Sequence, residues 1–111
     1  NQVVHGAIGA KYKDMGGAES ALGFPTSGEN AVNGGFFQTF EKGNIYWSPK
    51  TGAHYILKSK IMDRWGQAGW EQGEFGWPTS DYSEIAAGGL SQEFQHGKIS
   101  EVLGQVRTEK K

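Results

Sequence analysis

The chain has 111 residues, a net charge of −1 and no cysteine. This balance supplies no basic stripe to neutralise phosphates, which argues against a nucleic-acid partner, and the lack of thiols excludes a disulfide framework and thiolate metal sites. No apolar run approaches the roughly 18 residues of a membrane-spanning helix, and 18 glycines among four tryptophans, four tyrosines and six phenylalanines point to tight turns between short aromatic-bearing strands.

In chain order, the first apolar residues are Val3-Val4, which stand before Ile8 as Ile56-Leu57 stand before Ile61, a shift of 53. Residues 1–7 therefore read as the tail strand of a preceding copy. Ile8, Tyr12 and Met15 follow at i, i+4, i+7, the spacing of one helix face of about two turns. Gly16-Gly17 is a suitable stop. Next comes Leu22-Gly23-Phe24-Pro25-Thr26-Ser27, in which proline fixes its own φ and pushes the aromatic before it into an extended conformation. From Gly34-Gly35 the period becomes two, with Phe36, Gln38 and Phe40 on one side and Phe37, Thr39 and Glu41 on the other. Glu41-Lys42-Gly43-Asn44 reads as a hairpin connection whose glycine takes a positive φ. Ile45-Tyr46-Trp47 is the returning strand, and Ser48-Pro49-Lys50-Thr51-Gly52 a second turn into strand His54–Lys58.

The round then starts again. Ile61 and Trp65 repeat the helix face, with Gly66 or Gly69 as the stop. Phe75-Gly76-Trp77-Pro78-Thr79-Ser80 repeats the hexamer at a shift of 53. Gly88-Gly89, Gln92, Phe94, Gly97 and Ile99 repeat Gly34-Gly35, Gln38, Phe40, Gly43 and Ile45 at a shift of 54. Ile99–Leu103 has no counterpart of Tyr46, Trp47 or the Ser-Pro-Lys-Thr-Gly turn, so the second copy is expected to lack a full second hairpin. A period of this size marks a repeat architecture. The expected fold is mainly β with short helical turns, a tandem of two small β-meander or hairpin units of about 54 residues. The units span 8–60 and 61–107, the second with a shortened hairpin, followed by a polar tail at 108–111. A unit that small buries only about 60% of its unfolded surface and is marginal alone, so the copies are expected to lean on each other. Contacts mainly between neighbours would make the pair elongated.

What recurs is glycine, proline, aromatic and aliphatic residues, whereas titratable residues vary. Glu41 becomes Gln95, and Glu29 meets Ser83 or Glu84. Neither Gly-x-Ser-x-Gly nor His-Glu-x-x-His occurs. No enzyme, cofactor or metal site is expected. Tyr46 and Trp47 beside Ser48 are the candidate stacking platform for a sugar ring, the alternative being that alternation sends one of them into the core. His54 follows the same turn and reads either as a ligand contact or as a structural histidine. Trp77, like Phe24, reads as a structural plug before its proline or as a ligand contact. Glu29, with Thr26 and Ser27, joins a polar pocket or caps a turn through side-chain to backbone bonds. Ser80, Asp81 and Thr79 present the same choice in the second copy.

The tetrapeptide Leu22-Gly23-Phe24-Pro25 resembles the signature of the LGFP-repeat family. Gly34-Gly35, Phe40-Glu41, the run Gly43–Pro49 and Thr51-Gly52-Ala53-His54 match its pattern in the same order. The second copy departs, with Phe75-Gly76-Trp77-Pro78 in place of the signature. The resemblance implies a secreted protein of the cell envelope in bacteria with mycolate-bearing walls. It implies a non-catalytic module that anchors an attached catalytic domain to peptidoglycan–arabinogalactan polysaccharide. A passive stalk and a protein-interaction module of the envelope are the alternatives.

Overall fold

The computed structural model describes residues 6–32, 34–85 and 89–110. Each copy folds as a short helix, a glycine-rich loop and a four-stranded antiparallel meander. In the first unit these are α1 (Gly6–Met15), β1 (Asn30–Val32), β2 (Gly35–Thr39), β3 (Gly43–Ser48) and β4 (Gly52–Leu57). The second has α2 (Lys60–Gln67), β5 (Ser83–Ile85), β6 (Gly89–Phe94), β7 (Gly97–Val102) and β8 (Gln105–Lys110). The expected tail strand at 1–7 falls on Gly6 and Ala7, which open α1, and otherwise lies outside the described residues. The expected second-copy truncation is overturned. β7 and β8 pair in full from Gly97↔Lys110 to Val102↔Gln105, joined through Leu103 and Gly104 at φ 53° and 80°. Both central residues are left-handed, as a two-residue turn matching the strand twist demands. Residues 108–110 are therefore strand, and Lys110 reaches back 2.7 Å to Glu74.

The helix faces are those the spacing predicts. Ile8 in α1 and Ile61 and Trp65 in α2 are buried. Ser59 caps α2, its hydroxyl accepting from the Met62 N–H, one of the amides a helix start leaves without an internal partner. Each helix pins its loop by the same contact. The Tyr12 hydroxyl donates to the Gly23 carbonyl at 2.7 Å, and the Trp65 indole N–H to the Gly76 carbonyl at 3.0 Å. Gly23 and Gly76 share a φ of +78°, a conformation that strains any residue with a Cβ.

The hairpin glycines recur for a different reason from the one expected. Neither Gly43 nor Gly97 has a positive φ. A Cβ on Gly43 would lie 2.4 Å from the Ile56 carbonyl oxygen and 2.9 Å from Leu22. On Gly97 it would lie 2.5 Å from the Glu109 carbonyl oxygen and 2.9 Å from Phe75. Close approach fixes these glycines: the first residue of each signature, Leu22 or Phe75, is buried directly over the bare backbone.

Four layers result, α1 and its loop, the first sheet, α2 and its loop, then the second sheet. Ile8, Leu22, Phe40 and Ile45 fill the space between the first two layers. The other face of the first sheet contributes Tyr46 and Ile56 to a core shared with Trp65, Phe75 and Trp77 of the second unit. Main chain crosses as well, since the Tyr55 carbonyl accepts from the Tyr82 N–H at 3.2 Å and from the Gln92 side chain at 2.9 Å. The pair is not elongated. Its radius of gyration of 13.3 Å is that of a compact body of this length, about 13 Å, because the far face of the first sheet packs broadly on the second unit's helix and loop rather than through a narrow joint.

Candidate functional site

The six residues singled out from sequence do not form one site. Strand alternation splits Tyr46 from Trp47. Tyr46 is 4% exposed, stacked on Phe37 at 5.4 Å and met edge-on by Trp65 at 4.8 Å. Burial pushes its hydroxyl up to about 12, against the hydrogen bond from Asn44 and with a smaller push from Glu71. Tyr46 is interior, and the paired Tyr46–Trp47 platform is corrected accordingly.

Trp47 points to the α1 side and keeps part of its ring in solvent. Its cross-strand partner is Phe36, 37% exposed, with ring centroids 5.9 Å apart and planes inclined by 31°. Gly6, Ala7, Ile8 and Glu29 complete a groove of about 210 Å³ around the two rings. Trp47 and Glu29 thus come together, with Phe36 as a partner missed in the sequence. Its signal was available, because the Glu41–Asn44 connection fixes a register that puts 36 opposite 47.

Ser48 and Trp77 meet elsewhere, in a cleft of about 360 Å³ between the units, lined also by Gly34, Pro49, Lys50 and Gln95. Trp77 is 7% exposed. Its ring covers the glycine pair of the first unit, where a Cβ on Gly35 would lie 2.8 Å from the indole and 2.1 Å from the Trp47 carbonyl oxygen. The plug reading of Trp77 therefore describes its packing. Phe24, at the same position of the first unit, is 62% exposed. The Ser48 hydroxyl accepts from the Thr51 N–H at 3.2 Å and holds the β3–β4 turn.

His54 is tied down by both ring nitrogens. Nε2–H donates to the Thr51 carbonyl at 2.7 Å, and Nδ1 lies 3.2 Å from the Asp81 carboxylate. Asp81 also takes an ion pair from Lys11 of α1, so it joins both units. Partial burial pushes its carboxyl up, but hydrogen bonds and charge from His54 and Lys11 outweigh that and hold it below its ordinary value. The serines of the repeated hexamer serve the backbone. Ser27 accepts from the Thr39 N–H at 3.2 Å and Ser80 from the Glu93 N–H at 3.0 Å.

The exchange of Glu41 for Gln95 has a structural meaning. Glu41 Oε1 accepts from the Phe24 N–H at 2.9 Å, and Gln95 Oε1 from the Trp77 N–H at 3.1 Å. The frame requires an acceptor oxygen and is indifferent to charge. Trp70 was missed as well. It holds a φ of +60°, rare for a bulky side chain, at the place of Gly17, whose φ is +62°. Gly66 makes the room, since a Cβ there would lie 2.7 Å from the Trp70 ring. Among the described residues no group of three His, Cys, Asp or Glu side chains could hold a metal, and no helix is long and apolar enough to cross a membrane.

Residues 22–73 match the family model for the LGFP repeat. The chain carries an LGFP repeat. The matched segment opens at Leu22 of the signature, runs through the first sheet and closes at Gly73, past α2. The family unit thus includes the helix that packs on the far face of its sheet. No curated protein matches the chain.

Proposed function

We propose that this LGFP chain is a non-catalytic module that holds an exported protein against the peptidoglycan–arabinogalactan polymer of the cell envelope. The observation that carries this reading is the Phe36–Trp47 pair with Glu29 at its rim. Two half-exposed rings inclined by 31° offer apolar faces to a sugar ring, and a carboxylate at the edge accepts from its hydroxyls. The groove is shallow, so one contact binds weakly and several units along a polymer supply avidity. A role without catalysis is supported by the duty of Glu41 and Gln95 as amide acceptors. Attachment to a catalytic domain belongs to the same reading.

Co-sedimentation with isolated, protein-stripped wall polymer tests it. The chain should pellet with the polymer, and Trp47→Ala or Phe36→Ala should lower the bound fraction at least about fivefold, the loss of one stacking contact of about 1 kcal/mol or more. Pelleting no greater than that of an unrelated β-protein refutes attachment. Binding that returns only when wall proteins are left in place points instead to a protein partner.

A further inference from the structure

The two units share a local backbone but differ on their outer faces, and the difference gives the array a direction. The outward face of the first sheet carries Phe37, Asn44, Tyr46, His54 and Ile56, and α2 with Trp77 covers it. By strand register, the corresponding positions of the second sheet are Ser91, Lys98, Ser100, Arg107 and Glu109. Hydroxyls and charges replace both aromatics and the isoleucine, and Arg107 and Glu109 are exposed. A polar outer face is what a capping repeat presents to water. At the other end, Phe24 stands in the place of Trp77 with the same backbone, the same acceptor at its N–H and the same proline after it, yet its ring is 62% exposed. Gly9, only partly buried, stands where Met62 lies in the shared core. Phe24 is thus an exposed ring in a frame whose counterpart in the second unit is buried.

We propose that the Phe24 face of the first unit docks against the sheet of another LGFP unit of the first-unit type. That occupant bears a Gly-Gly pair with aromatics at the positions of Phe37 and Tyr46, and the second unit closes the array at its other end. Phe24 sits on the occupant's glycine pair as Trp77 sits on Gly34-Gly35. A second copy of the second unit is a poor occupant, because Ser91, Ser100 and Arg107 give the ring no apolar floor. The inference concerns how units join and does not depend on what the Trp47 groove binds.

The test lengthens the full chain by inserting a further copy of residues 7–59 directly ahead of Ala7, which preserves the spacing of 53. In the original chain Phe24→Ala should shift Tm by at most about 3 °C, as at an exposed site. In the lengthened chain the same substitution at the original position should lower Tm by at least about 6 °C, as loss of a buried ring does. A chain lengthened instead by residues 60–110 followed by Lys58-Ser59, which keeps the same spacing of 53, should show only the small shift. A second measurement uses the absence of native cysteine: a Phe24→Cys thiol should react with a maleimide at least tenfold more slowly in the first lengthened chain than in the original. Equal small shifts and equal labelling in all three chains overturn the proposal. Equal large shifts with both insertions also overturn it, since docking would then not depend on the aromatic face.

Discussion

Phe24 and Trp77 occupy one position in two copies of one frame, and their fates differ. Each follows a glycine at φ +78°, donates its N–H to a side-chain oxygen from the neighbouring turn and precedes a proline bridged to the end of a strand. One ring is 62% exposed and the other 7%. The local sequence sets how the aromatic is presented, and the adjoining unit decides whether it is covered. Repeat identity therefore predicts conformation well and burial poorly.

The sharpest way to break this comparison is to truncate both rings. Trp77→Ala should cost about 3 kcal/mol, read as a lowered urea midpoint, against about 0.5 kcal/mol or less for Phe24→Ala. Comparable losses would mean that Phe24 is held by contacts its exposure does not reveal. Gly35→Ala attacks the same joint from the other side. Its methyl would meet the Trp47 carbonyl and the Trp77 ring, and a loss of about 2 kcal/mol is expected in thermal unfolding. Exchange of the acceptors sharpens the comparison: Gln95→Glu and Glu41→Gln should each stay within about 0.5 kcal/mol, whereas Gln95→Leu strands the Trp77 N–H and should cost about 1 kcal/mol.

The smallest effect concerns Asp81. Its carboxyl is held below the ordinary 3.8, so the folded state releases this proton more readily than the unfolded chain. Its stabilising share is complete above 3.8 and is lost as pH falls through the lowered value. With the side chain 34% exposed, solvent screening keeps that share modest. Asp81→Asn should flatten the acid limb of a plot of stability against pH below the ordinary 3.8 and leave its neutral slope unchanged. An unaltered acid limb would place the pairing with Lys11 and His54 outside the energetics.

Much of the frame was legible in the chain. Helical spacing at Ile8, Tyr12, Ile61 and Trp65 and alternation at Gln38, Phe40, Ile45 and Tyr46 announced which residues share a face, because those periods are geometric. The second hairpin of the second unit was not legible. A search for another Ser-Pro-Lys-Thr-Gly passes over Leu103-Gly104, and leucine is a poor advertisement for a positive φ. The candidate site was half legible. Alternation separates Tyr46 from Trp47, but which of the two reaches water depends on α2 covering one face of the sheet, a contact between units that no local pattern encodes. The reason for Gly43 and Gly97 was misread for the same cause. Their constraint lies in the facing carbonyl and the overlying Leu22 or Phe75, not in their own torsions.

The crossing at Tyr55 carries a mechanical consequence. A string of beads on linkers yields at each joint, and tension at one end is spent on swinging the beads. Here an amide and a carboxamide from the second unit both seize one carbonyl of the first. Two bonds on one carbonyl brace the boundary against hinge motion, and an array of units joined in this way would pass torque along its axis as a rod does.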